Sequence, residues 1–406
     1  MPTITICVLG DLGHSPRMLY HVQSFSKLKY NVYLCGYLDS SLPSFIVQDD
    51  HVEIKPLRPV KNSHRLPYLA FIGYKLLYQL YTLTALLFST MRQSQYIMIQ
   101  NPPSIPILFI IVVLQKLFFH KCELIIDWHN LNYTILNMKF KNLNHPLVRF
   151  LKFYERKLSR FAYLNLTVTE NLRKFLTSEF GVDEKKIITL YDKAGIHFSP
   201  IENESLKEVI IRSHPQVFVD YRENDKILVT STSFTEDEDF DLFLAALVKY
   251  EKLLQKSEQT LHVVVTGKGP LRDQFLSHLE SAKLSKISVK SVWLPISEYP
   301  EILAVSDLGV SLHVSSSGLD LPMKVVDLFG CGIPVISLGF ETIGELVQDG
   351  KNGAIVSTAD EMVKEFEQLL TESSPKYKTL KKGALKKSTE KWDAEWDRKL
   401  KPLVES

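Results

Sequence analysis

Short apolar runs alternate with longer amphipathic stretches along most of this 406-residue chain. Ile4-Thr-Ile-Cys-Val-Leu9 predicts a strand, Gly10–Gly13 a turn, and Ser15–Lys29 a helix. Strands are predicted at Asn31–Gly36, Tyr96–Gln100, Glu123–Asp127 and Leu164–Val168, with a helix over Pro146–Phe161. The second half repeats the pattern, with strands at Lys226–Ser231, His262–Thr266, Ile287–Trp293, Leu308–His313 and Pro334–Ser337. Strands and helices in strict alternation predict parallel, doubly wound sheets. In such sheets ligands bind at the carboxyl ends of the strands, so the loops that follow them carry the chemistry. The polar, mixed stretch 195–224 reads as a linker between domains 1–194 and 225–385, with a C-terminal helix over 386–406. Lys376–Lys391 reads as a solvated helix face, with anionic lipid as its second reading.

Two segments depart from this pattern by being greasy. In 66–91 the side chains of Lys75, Gln79 and Thr82 recur at helical spacing on one face, and the remaining surface is Leu, Ile, Phe and Tyr. It reads as a helix lying in a membrane interface or as a buried helix of a Rossmann-type domain; a full span is the less favoured reading. The second, within 104–119, has ten consecutive apolar or Pro residues from Ile105, too few to cross about 30 Å of hydrocarbon. No signal peptide is expected, because the first strand begins almost at the initiator.

Composition narrows the classes. With 45% hydrophobic and 11% aromatic residues, disorder is excluded. A net charge of +2 gives no field that demands nucleic acid. Cys7, Cys35, Cys122 and Cys331 lie far apart in apolar runs, which predicts buried reduced thiols and neither a disulfide framework nor a metal site. Asn132, Asn165 and Asn203 head glycosylation sequons, a pattern short enough to arise by chance.

Five loops carry candidate chemistry. Gly10-Asp11-Leu12-Gly13-His14-Ser15-Pro16-Arg17 combines a turn, a helix start and a cation, which suits an anion, although it is not a dinucleotide fingerprint. Asp127-Trp128-His129-Asn130 ends a buried strand, where His129 would accept a proton and Asp127 orient it. Five acids stand between Thr235 and Asp241; a metal or base role for them competes with a Thr235–Glu238 capping box. Gly267-Lys268-Gly269 follows a strand and suits a phosphate, without P-loop spacing. Ser315-Ser316-Ser317-Gly318 leads into a helix bearing Lys324 and Asp327, with hydroxyls and amides for a diphosphate or sugar.

The motifs GDLGHSPRM, QNPPS, IDWHN, NHPLV, YERKLSR, TVTE, LYDKAG, STSFTEDEDF, TGKGPLR and SSSGLDLPMKVVDLFG occur in one order over nearly the whole chain. In this the sequence resembles the dolichol-pathway beta-1,4-mannosyltransferases, a family of GT-B glycosyltransferases. The resemblance implies an α/β chain in the GT-B fold: two Rossmann-like, doubly wound domains facing a central cleft, the first for the acceptor and the second for GDP-mannose. It implies inverting transfer of mannose from GDP-mannose to GlcNAc2-diphosphate-dolichol at the cytosolic face of the endoplasmic reticulum membrane, with other mannosyltransferases of the pathway as candidate partners. No tightly bound cofactor and no resident metal are expected; divalent-cation stimulation stays open.

By that pattern Gly13, Arg17, Gly267, Lys268, Ser316, Ser317, Gly318, Lys324 and Asp327 would bind the donor, and His14, Asp127 and Asn130 the acceptor. The general base would be Asp11, His129 or Glu236, with Glu236 ranked last. Three features depart from the pattern. The stretch 231–239 is acidic where many GT-B enzymes carry Arg and Lys, Leu319 stands where retaining enzymes have an acid, and no anchor precedes the first strand. A non-catalytic GT-B paralogue that binds nucleotide or partner enzymes is the alternative.

Overall fold

Strand-rich apolar runs bounded by turn residues assemble here into two parallel sheets, seen in a computed structural model that describes residues 1–59, 67–295, 297–371 and 374–405. The chain divides into two compact units, Met1–Tyr191 with Trp396–Ser406, and Asp192–Glu395.

The first unit holds β1 (Thr3–Asp11), β2 (Asn31–Tyr37), β3 (Val52–Pro56), β4 (Tyr96–Asn101), β5 (Glu123–Trp128), β6 (Leu164–Thr167) and β7 (Ile187–Thr189). They lie in the order β3-β2-β1-β4-β5-β6-β7, so the order reverses between β1 and β4. The inner strands are buried on both faces, as parallel sheets covered by helices require. Two strands escaped the pattern: β3 alternates with Glu53 and Lys55 at the sheet edge, and β7 has three residues. The thiols of all four cysteines are unpaired and buried. Asn165 is also buried and accepts the indole N–H of Trp128 at 2.8 Å, so its sequon is a core hydrogen bond.

The greasy segments meet different fates. Tyr68–Met91 is a helix (Leu66 of the expected segment lies outside the described residues). Its last turns pack Leu83, Leu87 and Met91 inward. Earlier, the Gln79 amide donates to the Tyr37 hydroxyl at 3.3 Å, while Leu77 and Tyr81 stay 69% and 73% exposed. The polar stripe therefore includes contact with the unit's own surface, and the apolar face points away from it. Phe71–Met91 is long and apolar enough to cross a membrane. The second segment, 104–119, expected to associate with a membrane, divides between core and surface. Ile107–Leu117 is a helix apolar on all sides because Ile107, Leu108, Ile110, Ile111, Val112 and Leu114 fill the core. Phe109, Leu117 and Phe118 remain exposed.

The second unit holds β8 (Lys226–Thr232), β9 (Leu261–Gly267), β10 (Ile287–Val292), β11 (Leu308–Ser311), β12 (Val335–Leu338) and β13 (Gly353–Val356), in the order β10-β9-β8-β11-β12-β13. Its order reverses between β8 and β11. The stretch expected as a linker folds into this unit: Ala194, Phe198, Ile211, Val217 and Phe218 share a core with Val325 and Phe329. The end of the chain, expected as a helix of its own, belongs to the first unit from Trp396 onward. The Trp396 indole donates to His21 Nδ1 at 3.0 Å and stands edge-on to Phe25, and the Tyr30 hydroxyl donates to the Val404 carbonyl at 2.6 Å.

Candidate active site

In the first unit the carboxyl ends of β1 and β5 each hold a carboxylate against a histidine from the loop that follows. Asp11 caps the turn Leu12–His14 and accepts the N–H groups of Gly13, Asp39 and Ser40 at 3.1–3.3 Å. Burial opposes its ionisation, yet the hydrogen bonds from Ser40, Gly13 and Asp39 outweigh it and hold the carboxyl below its usual range. His14 Nδ1 lies 2.9 Å from its other oxygen, with the ring largely exposed. Gly13 is required by packing: a Cβ there would come within 2.9 Å of Ser40 and of the Ser41 carbonyl.

Near the end of β5, Asp127 is fully buried and takes a bidentate pair from Arg17, Nε at 2.8 Å and Nη2 at 2.9 Å. His129 Nε2 approaches the same carboxylate at 3.0 Å and His21 Nε2 at 3.3 Å. Burial raises the cost of charge on Asp127, but the Arg17 guanidinium and then His129 overcome it and keep the carboxyl well below its ordinary range. This corrects the donor-binding expectation for Arg17. The side chain is 2% exposed, and its remaining nitrogen donates to the Leu190 carbonyl at 2.9 Å, so it belongs to the framework. Asp127 likewise has no surface for an acceptor; His129, a quarter exposed, is the member of the group that reaches solvent. Asn130 accepts the Leu131 N–H at 2.7 Å.

In the second unit Glu238 organises the loop after β8. Its buried carboxylate accepts the Thr232 hydroxyl at 2.5 Å, the Ser233 N–H at 3.0 Å, and the ammonium of Lys324 at 2.6 Å. Lys324 also donates to Ser233 Oγ at 3.1 Å. The capping duty expected of Thr235 and Glu238 falls instead to Asp239, which accepts the Leu242 N–H at 2.9 Å at the start of Phe240–Leu254. Glu236 lines a cavity with Asp239, Asp241, Gln274 and His278.

The serine loop after β11 is held from behind by His313. Its Nε2 lies 3.1 Å from Asp320 and its Nδ1 3.5 Å from Asp237. Burial would discharge this imidazole, but the two carboxylates outweigh it and lift its pKa to about 9. Ser315 donates to Asp320, and the Gly318 N–H donates to Ser315 Oγ at 2.8 Å. That corrects the expectation for Gly318: its amide is engaged inside the loop, and the residue is glycine for a φ of +74°. Ser316 and Ser317 are half-buried, and Ser317 Oγ accepts the Leu319 N–H at 3.1 Å.

Asp327 lies one turn into the helix Met323–Gly330, where burial lifts its carboxyl to about 7 despite a hydrogen bond from Tyr299. The Tyr299 hydroxyl sits 2.9 Å from Ser231 Oγ and 3.4 Å from Asp327 Oδ2. Gly267 and Gly269 allow the loop after β9 to run against the one after β8, since a Cβ on either would fall 1.8 Å from the carbonyl of Thr232 or Ser233. Packing thus accounts for Gly267. Lys268 between them holds its ammonium 4.2 Å from the Trp293 ring centroid.

Comparison with known proteins bears on what these loops do. The family description "Glycosyl transferases group 1" matches residues 225–372, most of the second unit. A chitobiosyldiphosphodolichol beta-mannosyltransferase from Debaryomyces hansenii is 50% identical over 410 residues, covering 98% of this chain and 86% of that one. Relatives of the same name from Candida albicans and Mus musculus are 47% and 33% identical, covering 100% and 99% of this chain and 88% and 89% of theirs. The chain belongs to the chitobiosyldiphosphodolichol beta-mannosyltransferase family. Among solved structures, sucrose-phosphate synthase from Thermosynechococcus elongatus superposes with a TM-score of 0.73 at 13% identity, covering 100% of this chain and 99% of that one. A glycosyltransferase from Rickettsia africae gives 0.69 at 14%, covering 100% and 98%. The fold is GT-B, and the chain is a glycosyltransferase.

Membership in this family leaves the non-catalytic alternative without support. His313, Asp320, Tyr299, Ser231 and Trp293 all stand at or after strand ends of the second unit, and the sequence pattern assigns none of them a role. His313 and Trp293 had been absorbed as the last residues of predicted strands. A bulky polar or aromatic side chain at the carboxyl end of a buried strand was the available signal.

Proposed function

We propose that the protein transfers one mannose from GDP-mannose to GlcNAc2-diphosphate-dolichol, forming a beta-1,4 linkage at the cytosolic face of the endoplasmic reticulum membrane. Identity over 98–100% of this chain with relatives named chitobiosyldiphosphodolichol beta-mannosyltransferase carries the reading. An alpha-linked donor giving a beta product requires inversion, hence one in-line displacement and one general base.

In this reading the second unit binds the donor. Lys324, pre-positioned by Glu238 and Ser233, meets the leaving diphosphate together with the hydroxyls of Ser316 and Ser317, where negative charge develops in the transition state. Asp327 takes the ribose hydroxyls. The first unit binds the acceptor sugar through the loops bearing His14, His129 and Asn130. The base is drawn from the two carboxylate–histidine pairs, Asp11–His14 and Asp127–His129, in each of which the carboxylate fixes the imidazole that would take the proton from the attacking hydroxyl. Glu236 ranks below them. The outward apolar face of Tyr68–Met91 would rest on the bilayer beside the dolichol, where exposed Leu77 and Tyr81 leave water.

The test is a transfer assay with GDP-mannose and GlcNAc2-diphosphate-phytanyl, with beta-mannosidase digestion of the product. A single beta-linked mannose made by the wild type and lost in Lys324→Ala is expected. An unaltered acceptor, under conditions where the wild type binds GDP, would reject the reading.

A further inference from the structure

We propose that Trp293, with Lys268 over its ring, is the platform on which the nucleobase of the donor stacks. The proposal rests on the nucleotide-sugar reading above and adds to it the site of the base. Of the four tryptophans, Trp128, Trp392 and Trp396 are at most 3% exposed, whereas Trp293 is 52% exposed. It directly follows β10 at the carboxyl edge of the sheet. The register pairs Val292 with Thr266, which sets Trp293 beside Gly267 and Lys268. The Lys268 ammonium at 4.2 Å from the ring centroid is within cation–π range.

Two further contacts point from this platform toward the proposed ribose site. The chain leaving Trp293 enters the helix Tyr299–Ala304, and the Tyr299 hydroxyl lies against both Ser231 at the end of β8 and Asp327. From β8 to β10 is two strand spacings, roughly 10 Å, a span that a nucleoside bridges. A purine lying on Trp293 would then direct its sugar along the strand ends toward Ser231, where the Tyr299 hydroxyl meets Asp327.

The experiment uses calorimetric titration of the full chain with GDP and, separately, with inorganic diphosphate. Wild-type tryptophan emission should be quenched saturably by GDP, since the other three indoles are buried. Trp293→Ala should weaken GDP by about five- to hundredfold, the range of base–aromatic stacking, and leave inorganic diphosphate unchanged. Trp293→Phe should keep most of the GDP affinity. GDP binding within twofold of wild type in a folded Trp293→Ala protein overturns the proposal, and so does an equal loss for both ligands, which would mark a structural role. If Trp293→Ala does not fold, Trp293→Leu carries the same comparison. A wild type that binds no GDP overturns the nucleotide-sugar reading itself.

Discussion

Replacing Arg17 by Met removes the guanidinium that neutralises the buried Asp127 and leaves a shape of similar reach. Three hydrogen bonds are lost, two to Asp127 and one to the Leu190 carbonyl, at a side chain 2% exposed. Breaking a buried pair by deleting one partner costs about 3–5 kcal/mol, because the other charge stays in the interior. The first unit has about 200 residues, and a domain of that size shifts by about 2–4 °C per kcal/mol, so its Tm should fall by about 6–20 °C. Adding Asp127→Asn removes the orphaned charge, and the double variant should lose less than the sum of the single ones, with a coupling of about 0.5–3 kcal/mol. The depressed Asp127 pKa adds a sign: its contribution is present above the ordinary carboxyl value and lost as pH falls below it, so acid unfolding of Arg17→Met should be less steep. Thermal unfolding is followed by near-ultraviolet dichroism, to which the buried Trp128 and Trp396 of this unit contribute, and GDP affinity by calorimetry at 25 °C. An unchanged Tm with GDP binding lost would refute the reasoning and return Arg17 to the donor.

His313 is raised in the folded unit from an ordinary 6.5 to about 9, so its stabilisation is complete below the lower value and lost as pH rises through the upper. The Tm of the second unit should therefore fall between about pH 7 and 9, and His313→Asn should flatten that fall in calorimetric scans. Asp327 is lifted to about 7, and only its ionised form accepts two ribose hydroxyls, so donor KM should decrease as pH rises through neutrality. Asp327→Asn should remove this dependence and raise KM about tenfold or more, the worth of a charged hydrogen bond. Leu76→Ser with Leu77→Ser should weaken binding to phospholipid vesicles in sedimentation without changing GDP affinity, since each exposed leucine contributes about 1.5–3 kcal/mol when buried in an apolar phase. Equal vesicle binding by that variant would dismiss the helix Tyr68–Met91 as the contact.

The alternation of strands and helices was legible because each inner strand is a run of Ile, Val and Leu bounded by turn residues, and the sheet imposes nothing beyond that pattern. Gly10–Arg17, Asp127–Asn130 and Ser315–Asp327 were legible as strand-end loops for the same reason. What stayed hidden was pairing. Arg17 and Asp127 are 110 residues apart and Lys324 and Glu238 are 86 apart, and no periodicity connects them. A cation beside a glycine turn looks like an anion site until a buried carboxylate is found against it. The same gap explains the greasy segments: composition reports an apolar helix but not whether its face meets a core, as in Ile107–Leu117, or points away, as at Leu77 and Tyr81.

Partnering and exposure together sort the charged residues. Arg17 is both neutralised and buried, so a ligand has nothing to gain from it that Asp127 does not already take. Lys324 is neutralised by Glu238 but keeps about a third of its surface, so one carboxylate orients it while a second anion can still approach. Three of the five acids after β8 then need no ligand of their own to explain them: Glu238 holds Lys324, Asp237 holds His313, and Asp239 caps a helix. Where related folds place cations directly, this chain sets carboxylates behind two cationic groups. The arrangement predicts that the donor loops lose more from Glu238→Ala than from Glu236→Ala. Removing Glu238 frees the Lys324 ammonium and strands the Thr232 and Ser233 donors, whereas Glu236 holds no such network. Equal losses of kcat/KM in the transfer assay would mean that Glu236 touches substrate, and the base assignment would move to it.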